Sequence, residues 1–159
     1  MESGWSSSGF ALEDLYEMAA IAEQGGFDFY ARLIARATQP RVKNTLKFLR
    51  DEEAAHKAYF LGQLRARGGA PRGTVTPELQ AVLAREFLEP LERVYTSGDI
   101  SDSGKALSFG CGLEEKSIGF YTAMRASVGS GELADLDRII AQEEGHRKKL
   151  ELIRACWGQ

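Results

Sequence analysis

Two Glu-x-x-His units, Glu53-Ala54-Ala55-His56 and Glu143-Glu144-Gly145-His146, constrain this chain more than any other feature. Each lies in a stretch whose apolar residues recur at helical spacing. Each is preceded by a second such stretch carrying Glu-x6-Tyr: Glu23 to Tyr30, and Glu114 to Tyr121. One Glu-x-x-His alone says little, because an acid beside a base on a helix is usually a solvated surface pair. Two copies, each with its own Glu-x6-Tyr partner, place four carboxylates and two imidazoles in one domain.

The repeat also separates the candidates from their acidic neighbours. Glu52 and Glu53 both precede His56, but the second copy has Gln142 where the first has Glu52. Only the acid three residues before the histidine, Glu53 or Glu143, occurs in both. Likewise Glu114 aligns with Glu23, whereas Glu115 aligns with Gln24. The flanks agree: Gln24-Gly25-Gly26-Phe27-Asp28-Phe29-Tyr30 lines up with Glu115-Lys116-Ser117-Ile118-Gly119-Phe120-Tyr121.

The pattern predicts an all-α chain. A first helix is expected over about 10–37, with Leu12, Leu15, Ala19, Ala22, Phe29 and Leu33 on its apolar face. Pro40 punctuates it, because proline disfavours helix in the residue before it. A second helix is expected over about 41–67, closed by Gly68-Gly69-Ala70-Pro71. Thr76-Pro77-Glu78 reads as an N-cap, a first-turn proline and a first-turn acid, opening a helix to about 96 that is bent or broken at Pro90. A third long helix over about 104–128 ends at Gly129-Ser130-Gly131, and a fourth runs over about 132–156. The Ser/Gly-rich segment 1–9 reads as a flexible N-terminus, leaving 10–156 as one domain. In each hairpin the glutamates lie at similar distances from the turn. At 1.5 Å per residue they reach the same height within roughly one turn.

The 159 residues suffice for one packed core, and 43% apolar with 27% charged is ordinary for a globular protein. A formal net charge of −3 gives no general reason to expect nucleic acid or an anionic membrane as partner. No signal peptide or membrane-length apolar run is evident, and Cys111 and Cys156 form no CxxC. A reduced, cytoplasmic setting is expected.

Four carboxylates with two imidazoles suit iron, manganese or zinc better than calcium, which prefers oxygen alone. Glu53 with His56 can reach one ion, Glu143 with His146 a second, and Glu23 and Glu114 can bind or bridge. Two divalent ions would balance the four negative charges. Without metal, clustering and burial should raise the carboxyl pKa values. Tyr30 and Tyr121 lie nearly two turns beyond Glu23 and Glu114, so each could orient a carboxylate on a neighbouring helix, with core packing the equal alternative. Cys111 reads as a structural thiol. Glu52, Glu115 and Glu144 read as solvated or outlying charges, and the basic groups near 65–67 and 147–149 as helix-end solvation.

The order Glu23…Tyr30, Glu53-x-x-His56, Glu114…Tyr121, Glu143-x-x-His146 resembles the ferritin-like superfamily. Phe29-Tyr30, Phe120-Tyr121 and the Asp51-Glu52-Glu53 approach look most like the rubrerythrin di-iron domain. The resemblance implies a ferritin-like four-helix bundle with a long helical crossover between its second and third helices. It implies two iron ions per chain, held by Glu23, Glu53, His56, Glu114, Glu143 and His146. It further implies redox work with hydrogen peroxide or oxygen. The chain departs from rubrerythrins in two respects. It carries no rubredoxin-type CxxC pairs, so an external electron donor is expected. It also has Ser117, with repeat mate Gly26, where rubrerythrins carry a further glutamate. The remaining set equally resembles the ferroxidase centre of bacterioferritin. The expected function is therefore a di-iron oxidoreductase, with a ferroxidase or iron-storage protein and a metal-stabilised interaction module as alternatives. Phe87, Leu88, Leu91, Val94 and Tyr95 on the crossover suggest a homodimer face, or packing within the monomer.

Overall fold

The computed structural model describes residues 10–68 and 76–157. The segment 1–9 and part of the loop after the second helix lie outside the described residues. Within them the chain is helical and no strand occurs.

Four long helices carry the architecture: α1 (Leu12–Arg36), α2 (Pro40–Ala66), α5 (Ser103–Met124) and α6 (Ser130–Arg154). Between α2 and α5 run α3 (Pro77–Leu83) and α4 (Glu89–Thr96), joined through a π turn at Ala84–Leu88. The turn adjoins Pro90, which has no N–H to donate and crowds the carbonyl four residues back. Widening the backbone there accommodates the proline without interrupting the helix. Thr76 occupies the cap position of α3, but its side chain makes no cap bond; Gln80 N–H donates to the Thr76 carbonyl at 2.8 Å. Asp102 caps α5, its carboxylate accepting from Lys105 N–H at 3.0 Å. The α5–α6 junction differs from expectation. Turns over Arg125–Ser127 end α5 early, and Ser130 and Gly131 already belong to α6. Glycine costs little there, because first-turn N–H groups have no partner within the helix.

Side-chain contacts fix the helix directions. Between α1 and α2, Glu13 meets Arg67, Gln24 meets Lys57 and Glu23 meets His56, so the two are antiparallel. Cys111 with Arg147 and Arg125 with Asp137 make α5 and α6 antiparallel. Tyr30 with Glu114 and Tyr121 with Glu23 do the same for α1 and α5.

The core has two apolar halves. One contains Leu15, Met18, Phe60, Leu64, Phe120, Tyr121, Leu136 and Ile139. The other contains Phe29, Leu33, Leu46, Leu49, Leu107, Leu113, Leu150 and Ile153. On every long helix the switch from one half to the other falls at a candidate: Glu23 on α1, Glu53 and His56 on α2, Glu114 on α5, Glu143 and His146 on α6. A polar layer thus crosses the middle of the bundle.

The crossover packs inward. Phe87, Leu91 and Val94 are buried, Tyr95 is half-buried beneath the Arg32 guanidinium, and only Leu88 of the five apolar residues is exposed. Those residues therefore serve the monomer core, which removes the sequence argument for a dimer face there. Gly25 permits this approach, since a Cβ on it would lie 2.9 Å from Leu91 Cδ1.

Candidate metal centre

All six candidates meet in the polar layer, none more than 4 % exposed. Glu23, Glu53, His56 and Glu143 form one group able to hold an ion; Glu53, Glu114, Glu143 and His146 form a second. In each group the potential ligand atoms lie within 4.8 Å of one another.

The imidazoles reach across the bundle. His56 Nδ1 lies 2.6 Å from Glu143 Oε1 and 3.6 Å from Glu23 Oε2. His146 Nδ1 lies 3.0 Å from Glu53 Oε1, 3.5 Å from Glu114 Oε1 and 3.9 Å from Glu143 Oε1. The two rings stack, 5.7 Å between centroids. This refines the pairing expected within each Glu-x-x-His unit. Glu53 and Glu143 belong to both groups and stand between them, while Glu23 and Glu114 each belong to one. Spacing along one helix says which side chains share a face, but not which carboxylate the neighbouring helix presents.

The tyrosines act across the hairpins. Tyr30 Oη donates to Glu114 Oε1, and Tyr121 Oη donates to Glu23 Oε1. Each hydroxyl satisfies one oxygen of its carboxylate and leaves the other, Glu114 Oε2 or Glu23 Oε2, without a hydrogen bond. The same holds for Glu53 Oε1, both oxygens of Glu143, and Nδ1 of both histidines. Both Nδ1 atoms lie within 3.6 Å of carboxylate oxygens, and facing acceptors have no hydrogen to share. Buried polar atoms without partners are costly. So many converging acceptors fit a cation shared among them, and this donor set can hold metal.

Protons fill that role when no ion does. Burial and the nearby Glu23 and Glu114 carboxylates push Glu53 well above the usual carboxylate range. Burial, then Glu114 and Glu53, does the same to Glu143. Glu114 departs from the expected rise. Burial pushes it up, but Glu143, the His146 imidazolium and the Tyr30 hydroxyl pull it below its ordinary value. Burial alone would lower His146, yet Glu114 and Glu53 raise it to about 11. Tyr30 and Tyr121 are held well above the ordinary tyrosine range, first by burial and then by their carboxylate partners, so both remain donors. A divalent ion must therefore displace protons to bind, and acid competes with metal.

Two further residues complete the layer. His56 Nε2 pairs with Gln142 Oε1 at 2.8 Å, and His146 Nε2 with Glu52 Oε2. Because Gln142 replaces it in the second repeat, Glu52 reads from sequence as a solvated or outlying charge and not as a ligand, and its place behind His146 is the outlying one. The available signal was that both can accept a hydrogen bond and both precede their own histidine by one helical turn. Cys111 is half-buried and its Sγ–H points to the Arg147 carbonyl at 3.9 Å; burial raises its pKa, and it belongs to neither ligand group. Gly26 opens the flank of the site, since a Cβ there would fall 2.3 Å from Glu53 Oε2.

No protein-family model, curated protein or solved structure matches the chain. Among the described residues, no helix is long and apolar enough to cross a membrane.

Proposed function

We propose that this chain is a ferritin-like, rubrerythrin-type di-iron oxidoreductase that acts on hydrogen peroxide or oxygen and draws electrons from an external donor. One observation carries the reading: two imidazole Nδ1 atoms and four carboxylates converge, without hydrogen bonds among the converging atoms, in a layer sealed by apolar packing on both sides. The helix directions leave α2 and α5 parallel. That supports the long crossover of the ferritin-like topology.

When bound, an iron pair would supply two electrons that, with two protons, convert hydrogen peroxide to two waters, and the donor would restore them. Glu53 and Glu143 would help hold both ions, Glu23 and His56 one of them, and Glu114 and His146 the other. Tyr121 and Tyr30 would each hold one oxygen of Glu23 and Glu114, leaving the second oxygen of each without a hydrogen bond. Beside Glu53 and Glu114, a cavity of about 10 Å³ is bordered by Gly26, Tyr30, Phe87 and Ser117. It has room for about one water-sized molecule, so a bulky organic substrate does not fit there.

Ser117 favours a second reading, a ferroxidase or storage protein, because it brings no further carboxylate to that cavity. Anaerobic ferrous protein mixed with peroxide or oxygen separates the two. The oxidoreductase is expected to oxidise two irons per peroxide, to be restored by a chemical reductant, and to sediment as a species far smaller than a cage. Uptake of many irons per chain in a large cage would favour storage. Ferrous protein inert to both oxidants would contradict either reading.

A further inference from the structure

The two halves of the centre differ where the ligands themselves do not. Behind His146 stands a carboxylate, Glu52; behind His56 stands an amide, Gln142. Both partners come from the opposite helix of the α2–α6 pair, so the arrangement is symmetric in position and asymmetric in charge. We propose that Glu52 and Gln142 make the two metal positions unequal, so that the position served by His146 fills first and holds its ion more tightly. This rests on the metal-binding reading of the site.

The inequality follows from what each partner can do to an imidazole. Glu52 when ionised offers only acceptors, so it fixes the tautomer with hydrogen on Nε2 and the lone pair of Nδ1 turned to Glu53 and Glu114. Its negative charge also raises the donor strength of that nitrogen. Gln142 accepts the same hydrogen through a neutral oxygen. Its amide can turn to present NH₂ instead, so it fixes His56 less firmly. Partners behind a metal-binding histidine typically change metal affinity by about 10–100-fold. The ligands in front give no matching compensation: each group has three carboxylates and one imidazole, and each outer carboxylate takes one tyrosine hydroxyl. Glu52 and Gln142 are positioning residues, acting on the metal only through the histidines.

Cobalt(II) titration of the full chain, followed by visible absorption and chelator competition, tests this. With both histidines present, Glu52→Gln should weaken the tighter binding step by about tenfold or more, and Gln142→Glu should strengthen the weaker step by a similar factor. His56→Ala should retain one ion at least about tenfold more tightly than His146→Ala does, and Glu52→Gln should erase that difference. A merely structural role would weaken both steps together. Two cobalt ions bound with affinities that none of these exchanges shifts selectively would overturn the inference and leave the metal site standing. A parent protein that binds no cobalt would overturn the metal site and the inference with it.

Discussion

Ferrous iron supplied anaerobically at about 100 times its dissociation constant is expected to raise the thermal midpoint by about 10–20 °C. Each ion bound only by the folded state then contributes about 2.7 kcal/mol, so two contribute about 5 kcal/mol. For a chain of this size, each kcal/mol shifts the midpoint by about 2–4 °C. At one fixed iron concentration the shift should grow with pH, because Kd falls as fewer protons must be displaced. Glu53 and Glu143 have folded pKa values raised above 4.5, so their contribution to the metal-free fold is complete below that pH and falls as pH rises. His146, raised from 6.5 to about 11, stabilises the metal-free fold fully below 6.5 and loses that contribution as pH rises through 11. Metal binding runs the other way, since it expels the protons. Differential scanning fluorimetry with and without iron at about pH 6 and about pH 8 measures both effects. Coincident melts at both pH values would contradict the account.

Glu143→Gln is expected to weaken both ions by more than about 100-fold, because this carboxylate belongs to both groups and a direct ligand outweighs the 10–100-fold typical of an outlying partner. Glu23→Gln, in one group only, should weaken one ion far more than the other. The metal-free Glu143→Gln protein should be at least as stable as the parent at neutral pH. In the parent, burial and the neighbouring Glu114, Glu53 and Glu23 carboxylates raise this carboxyl well above the usual carboxylate range when folded, so its ionisation favours the unfolded chain. A neutral amide removes that pull. Metal titrations and melts of the metal-free variants check the two halves of the prediction. Loss of metal-free stability with metal affinity retained would assign Glu143 a purely structural role.

The duplication made the six candidates legible, because two copies of one constraint discard the neighbours that appear in only one. The same filter set Glu52 aside as a ligand and left open whether it is solvated or outlying, and it gave Gln142 no role, because their shared position holds two different acceptors. Helical spacing placed Glu53 and His56 on one face, but could not reveal that His56 turns toward Glu143 and His146 toward Glu53. Those contacts depend on how α2 lies against α6. Apolar content on the crossover was readable, but not its destination: Phe87, Leu91 and Val94 face the core because Gly25 lets Leu91 close on α1. Cys111, three residues before Glu114, suggested an inward thiol. In the fold it lies against the α6 backbone, a contact set by helix rotation.

Anomalous diffraction at the iron edge, on crystals of iron-loaded protein, tests the site most directly. Two peaks are expected in the polar layer between Glu53 and Glu143, roughly 3.5–4 Å apart as in two-metal sites generally. One should lie by His56 Nδ1 and the other by His146 Nδ1. Fully loaded crystals with no peak in this layer, or with iron only on surface acids, would contradict the account.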